Sequence, residues 1–413
     1  MFAVGPISSG WHRPGALPAR FIHGEPTSDP VAELKAAHAF LAAAHAAPCR
    51  PDTPLLFKRW PTFGVSNDLN ILVRGLAFAV GSGRQLVLLP PNAEGRAKVR
   101  PVAGELGTAR PWHWLQPGLS TSTLVEPSSC QSFLDEHKST ALDALSAAQN
   151  AADLLLLARL NVSNASRCSD FDASDVMRGP IEFTSRWVPA PFQRHGTLWW
   201  FQALTTFLIR PRGALADLLK RHAAWRPFLR PGPLTMRHDL PDFDIGLHVR
   251  VGDACGQGAV RLHFESRMCL RSLHEALTQL PPASDGGRRR LFLASDSQAV
   301  VDEAAQVSGF DVTTLALDRA KYAANESVFV ESRLPHRSSD VLVEALMDLL
   351  LLSRARVIAG GMYGNMPRLA MQLRVRPPGD DRQYASLDGH RWCTCTSCKG
   401  FPEPSNRTSE GGK

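Results

Sequence analysis

Three short segments of the chain carry the residue types that phosphate chemistry needs. His248-Val249-Arg250-Val251-Gly252-Asp253 closes one apolar run, Ser295-Asp296-Ser297 closes a second, and Gly360-Gly361-Met362-Tyr363-Gly364-Asn365 closes a third. An arginine fork can hold two phosphate oxygens at once, which the point charge of a lysine does not reproduce. Glycines let the backbone approach a bound group closely, and the amides at a helix start favour anions. Asp296 suits a contact to a ribose or a base, by analogy with acidic residues in other nucleotide-binding sheets. Singly, each feature has a plainer account: Arg250 and Asp253 as a surface ion pair, Asp296 as a helix cap, Gly360-Gly361 as a tight turn. Their occurrence at three strand ends is what joins them into a candidate site.

The elements that must position these groups are legible from hydrophobic patterning. Residues 243–249, 290–294, 311–315 and 355–359 read as strands, alternating with helices over 261–280, 296–307, 338–353 and 364–373. Regular alternation of strand and helix predicts a parallel, Rossmann-like α/β sheet, with ligands expected at the carboxyl ends of its strands. Upstream, an alanine-rich helix is predicted over 31–47, with Asp29-Pro30 as its start signal. Leu69, Leu72, Val73, Leu76 and Ala77 recur at helical spacing, and a buried-strand run follows at 85–89 between Gly83 and Pro90. An apolar helix is predicted over 143–160, and a long helical region over 198–222 is interrupted at Pro211.

A chain of 413 residues exceeds one ordinary core and predicts more than one domain. The expected divisions are a lead-in with a helix at 1–50, a Rossmann-like domain at 51–240, a second at 241–377, and a polar, cysteine-containing tail at 378–413. A hydrophobic share of 44% and a charged share of 21% argue against a disordered, collagenous or coiled-coil protein. The formal charge of +7 attracts anions in general, but the basic residues are spread out, with one short run at Arg288-Arg289-Arg290. With no zinc-finger repeat, RNA-recognition signature or basic zipper, no nucleic-acid partner is expected. No run of eighteen apolar residues predicts a membrane span, and the first residues lack the pattern of a signal peptide.

The three segments, with their surroundings, resemble the signature motifs of the α1,6-fucosyltransferase group and its relatives. The matching stretches are His248 to Asp253, Leu293 to Ser297 and Asp348 to Arg368. Upstream, Trp199-Trp200-Phe201-Gln202-Ala203-Leu204 through Phe207-Leu208-Ile209-Arg210-Pro211 is similar to a segment of the α1,6 enzymes, and Phe63-Gly64 through Leu89 to their first helix and strand. The resemblance covers roughly Phe63 to Leu373, in the family's order. It implies an α/β protein of GT-B fold, with two Rossmann-like domains facing a central cleft. It also implies inverting transfer of fucose from GDP-fucose to a glycan or glycoprotein acceptor, with no metal or other cofactor. Under that resemblance Arg250 holds the β-phosphate of the donor. His248, Gly252 and Asp253 shape the nucleotide pocket. Asp296 and Ser297 stand near the guanosine, Asp348 matches an acid of the third motif, and Tyr363, Gly364 and Asn365 lie by the diphosphate.

The chain departs from that pattern just after the first motif. Ala254 and Gly258 stand where the α1,6 enzymes have a lysine and the glutamate taken as general base. Asp253 is the replacement candidate, with Glu265 behind it. Four glycosylation sequons, at Asn161, Asn164, Asn325 and Asn406, point to a secretory, Golgi-like compartment. Cys255 and Cys269 could pair across the first motif or remain buried thiols. The Cys393, Cys395 and Cys398 cluster after His390 could pair or bind zinc.

Overall fold

The computed structural model describes residues 29–48, 55–59, 65–81, 83–89, 124–130, 188–228, 240–251, 272–280, 287–322, 338–362, 364–374, 384–390 and 392. The first helix, α1 (Pro30–Ala46), starts where the sequence predicts. Asp29 caps it, its Oδ1 accepting from the amides of Val31 at 3.1 Å and Ala32 at 2.9 Å, with proline in the first turn. Strand β1 (Leu55–Arg59), helix α2 (Val65–Gly81) and strand β2 (Gln85–Leu89) form a βαβ unit whose two strands pair in parallel. Strand β1 was not anticipated: five residues ending in Lys58-Arg59 give a weak alternation signal.

The interrupted helical region resolves into α3 (Gly196–Leu208) and α4 (Gly213–Arg221). The chain extends between them because Pro211 has no amide hydrogen and disfavours a helical residue before it. Every residue of α3 is buried, Trp199 and Trp200 included, which marks it as a central helix of the molecule.

The second half is a five-stranded parallel sheet: β3 (Phe243–Val249), β4 (Arg289–Ser295), β5 (Phe310–Thr314), β6 (Ala355–Gly360) and β7 (Tyr384–Ser386). Their spatial order is β5-β4-β3-β6-β7, and all four adjacent pairs are parallel. The chain builds outward from β3 in one direction, then returns to the other side of β3. This is the Rossmann-like arrangement the alternation predicted, and its topological switch point lies between β3 and β6.

Helices cover both faces. Leu247, Leu291, Leu293 and Ala359 form one apolar face with α5 (Leu273–Thr278) and α6 (Gln298–Ala304). On the other face Phe243, Phe292, Ala294 and Ile358 join α7 (Ser338–Leu352) and α8 (Asn365–Leu373). Alternate residues of β4 thus serve opposite faces, as the two-residue period of a strand requires. Leu346, Leu349 and Leu369 share one continuous core with Leu41, Leu72 and Phe201 of the first half. Helix α8 packs directly on α2 and α3.

Two elements differ from expectation. The helix predicted over 261–280 begins, among the described residues, only at Leu273. Ser272 is extended (φ −156°, ψ 163°) and caps α5, its Oγ accepting from Glu275 N at 3.1 Å. A serine competes for the backbone in this way and favours a cap over a helix interior. Strand β7 comes from the stretch set apart as a polar tail, and Trp392 beyond it is fully buried, 6.0 Å from the Phe201 ring. The helix predicted over 143–160 lies outside the described residues.

Candidate functional site

Parallel strands end together, so the carboxyl ends of β3, β4 and β6 bring the three segments to one edge of the sheet. His248 pairs with Ala294 on one side and Gly360 on the other. Arg250 follows directly, its side chain 42% exposed, with Nη1 3.8 Å from Asp296 Oδ2. Asp296 Oδ1 accepts from the amide of Val251 at 3.0 Å. The aspartate therefore ties the ends of β3 and β4 together and faces the arginine. Asp296 thus offers Arg250 an acidic neighbour across the strand ends, while Asp253, the other acid the sequence set beside Arg250, lies outside the described residues. Ser297 occupies the cap position of α6 without a side-chain capping bond.

Glycines at the end of β6 allow close packing. A Cβ on Gly360 would lie 2.7 Å from Pro367 Cγ and 3.3 Å from the carbonyl oxygen of His248. Only a residue without a side chain lets the start of α8 sit this close to β3. Two of the turn's amides are already engaged: Met362 N donates to Asp388 Oδ1 at 3.0 Å, and Gly364 N to the carbonyl of Gly361 at 3.0 Å. Among the described residues, the first-turn amides of Asn365 and Met366 have no intrahelical acceptor and could meet an anion at the helix start, whereas Pro367 has no amide hydrogen.

The side chain of Asn365 is turned to a different task. Its Nδ2 donates to Asn67 Oδ1 at 3.3 Å, while its Oδ1 accepts from Arg368 Nη2 at 2.7 Å and Asn70 Nδ2 at 3.3 Å. Asn70 also accepts from Gln372 Nε2 at 3.0 Å, and Gln372 Oε1 accepts from Thr205 Oγ1 at 3.0 Å. A buried polar network thereby holds α8 to α2 and α3, and sets the height of the helix start above the sheet. Arg368, itself buried, also donates from Nε to the carbonyl of Gly364 at 3.0 Å.

Two titratable groups here are strongly perturbed. Burial pushes the His248 imidazole down to about 3, and Arg250 adds to the effect, so the ring is neutral at ordinary pH. Burial pushes the Asp348 carboxyl of α7 up to about 8. Arg319 opposes that shift, and Glu344 and Asp296 reinforce it. Asp348 Oδ1 is sealed from solvent without a hydrogen-bond partner, although the residue as a whole keeps some exposure. Next to it Arg319 donates to the carbonyls of Ser295 and Leu315, each at 2.9 Å, and to Thr314 Oγ1 at 3.0 Å. Glu344, one turn before Asp348, accepts from Lys321 and from the Tyr322 hydroxyl.

The structure therefore brings His248, Arg250, Asp296, Ser297, Gly364 and Asn365 to the switch-point edge, with Asp348 behind it in electrostatic contact with Asp296. Gly252, Asp253, Glu265, Tyr363 and the cysteine cluster at 393–398 lie outside the described residues. Sequence reasoning missed Asp388, Arg319, Glu344 and the pair Asn67 and Asn70. Glu344 and Asp348 did leave a signal, two acids one turn apart in an otherwise apolar helix. Asp388 left none, since it falls in a stretch of polar composition. Among the described residues no group of three or more metal-ligating side chains is present.

No protein-family model and no curated protein matches this chain. Among solved structures it is similar to the fucosyltransferase NodZ from Bradyrhizobium, at 14% identity and TM-score 0.36 over 78% of this chain and 94% of that one. It is also similar to a variant of Arabidopsis thaliana FUT1 in complex with GDP, at 11% identity and TM-score 0.39 over 84% and 78% of the two chains. POFUT1 in complex with GDP-fucose is a third, at 12% identity and TM-score 0.35 over 83% and 99%. These are structures of the fucosyltransferase group that the motifs resemble. At such scores the likeness carries no argument, and the chemistry rests on the residues themselves.

Proposed function

We propose that this chain is a glycosyltransferase that moves fucose from GDP-fucose to a glycan or glycoprotein acceptor with inversion at the sugar carbon. The observation that carries the reading is the meeting of Arg250, its acidic neighbour Asp296 and the start of α8 at the switch point between β3 and β6. In parallel α/β sheets that crevice is where nucleotide ligands sit. In the reaction the acceptor oxygen bonds to C1 of fucose as the bond from C1 to the phosphate oxygen breaks, and GDP leaves with the electron pair. Arg250 meets the charge growing on the β-phosphate, and the helix-start amides of Asn365 and Met366 supply further donors. Arginine provides a cation without a metal, so the reading requires none. The acceptor proton goes to a base, for which Asp253 remains the candidate. His248 is a poor base because its pKa is held near 3, and Asp296 is engaged with Val251 and Arg250.

The compartment that fits is the secretory pathway, with protein glycosylation in a Golgi lumen. Cys130 is disulfide-bonded, which supports an oxidising environment. No helix among the described residues is long and apolar enough to cross a membrane. The departure at Ala254 and Gly258 favours one second reading, a relative that binds the nucleotide sugar without transferring it.

The test is transfer and calorimetry with GDP-fucose, GDP-mannose and UDP-sugars, on the wild type and on Arg250→Lys. We expect tightest binding of GDP-fucose, and a loss of turnover on the order of 10²–10³ in the variant with the fold intact. Near-normal turnover in Arg250→Lys would remove the mechanism. Saturable GDP binding without GDP release to any acceptor would favour the second reading.

A further inference from the structure

A carboxylate from the last described stretch of the chain reaches the phosphate-facing turn. The Asp388 side chain is 1% exposed, and its Oδ1 accepts three hydrogen bonds. They come from the amide of Met362 at 3.0 Å, Ser386 Oγ at 2.9 Å and the amide of His390 at 3.1 Å. His390 Nδ1 donates to the Asp388 carbonyl at 3.0 Å, which fixes that nitrogen as the protonated one. A Cβ on Gly361 would come within 3.0 Å of Asp388 Oδ2, so the carboxylate packs closely against the turn at Gly361. Leu387 N also donates to the carbonyl of Gly360 at 3.0 Å.

Strand β7 is only three residues long and lies at the sheet edge, a length that holds poorly by ladder bonds alone. It is secured at its far side by buried Trp392, whose amide donates to the Tyr384 hydroxyl at 3.3 Å. Asp388 sits between that anchor and the turn over Gly361 to Gly364 that launches α8.

We infer that Asp388 is a positioning residue for the donor diphosphate: its clasp on Met362 N sets where the amides of Asn365 and Met366 point. This rests on the donor-site reading above and adds to it that residues beyond 377 complete the site. The role is geometric and not electrostatic. A buried negative charge beside an anion site opposes binding, and here it is absorbed by three donors. Asparagine keeps an oxygen at the Oδ1 position and removes the charge, whereas alanine removes the clasp. An error of an ångström in aligned groups of this kind can cost on the order of a hundredfold in rate.

The experiment compares wild type, Asp388→Ala and Asp388→Asn by calorimetry with GDP and with guanosine, and by amide hydrogen exchange across 360–366 in the ligand-free protein. Asp388→Ala should weaken GDP about tenfold, the low end for loss of a hydrogen bond to a charged group. Guanosine affinity should stay within about twofold, because the change is confined to the phosphate-facing turn. Exchange at Met362 should accelerate about tenfold or more. Asp388→Asn should bind GDP at least as tightly as wild type with exchange restored. Equal losses of GDP and guanosine, unchanged exchange, or an asparagine variant as weak as alanine would each overturn the role. Should Asp388→Ala fail to fold, Gly361→Ala perturbs the same contact from the other side, and its loss should again fall on GDP and spare guanosine. If wild type binds no GDP the donor reading fails, and the exchange comparison still decides whether Asp388 holds the turn.

Discussion

Replacing Asp348 with asparagine should make the protein more stable, and the gain should grow with pH. Asp348 lies on α7 with Oδ1 enclosed and unpartnered, and burial raises its pKa from the ordinary 3.8 to about 8. Between those two values the folded protein holds a proton that the unfolded chain has released. Stability therefore falls as pH rises, by at most about 1.4 kcal/mol per unit for one proton, and levels off above about 8. Asparagine has nearly the same shape and does not ionise. From pH 5 to pH 8 the variant should gain up to about 4 kcal/mol relative to wild type. It should gain at least about 2 kcal/mol once local opening lets water reach the ionised carboxylate. Any fixed cost of placing an amide there cancels when the two pH values are compared. The assay is urea unfolding of both proteins at pH 5, 6, 7 and 8, read as the difference in unfolding free energy at each. A difference constant to within about 0.5 kcal/mol over that range would refute the reasoning, because the carboxyl would then titrate alike in the folded and unfolded chain.

Two further outcomes follow from packing. Gly360→Ala places a Cβ 2.7 Å from Pro367 Cγ, so α8 must shift away from β3. We expect a loss of about 1–3 kcal/mol with weakened GDP binding, and a variant as stable as wild type would contradict the close approach. Asn70→Ala leaves the buried Gln372 Nε2 without its 3.0 Å acceptor and removes one of the two residues that tie Asn365 to α2, leaving the bond to Asn67. Chemical denaturation should show a loss of about 1–3 kcal/mol, and a change below about 0.5 kcal/mol would mean the network does not hold the two halves.

The parallel sheet of the second half was readable because its strands are short apolar runs bounded by polar residues, and its helices carry the longer helical period. Arg250, Asp296 and the Gly360 turn could be picked out because strand ends are where side chains leave the core. The partners that position them could not. Asp388 is 26 residues in sequence from Met362, and Asn70 is 295 from Asn365. No local pattern marks a hydrogen bond across such a separation.

The sequence by itself determined the strand–helix alternation, the glycines at the end of β6, the cap at Asp29 and the arginine at the end of β3. Each depends on propensity, periodicity or chirality within a few residues. Tertiary structure decided the rest. It placed Asp296 beside Arg250, engaged the Met362 amide with Asp388 and the Gly364 amide within the turn, and turned the Asn365 side chain toward α2. It enclosed one oxygen of Asp348 and raised that carboxyl's pKa, and drew Asp388 from a polar stretch onto the amide of Met362. Those outcomes depend on which groups lose water together, and that is settled only when the layers pack.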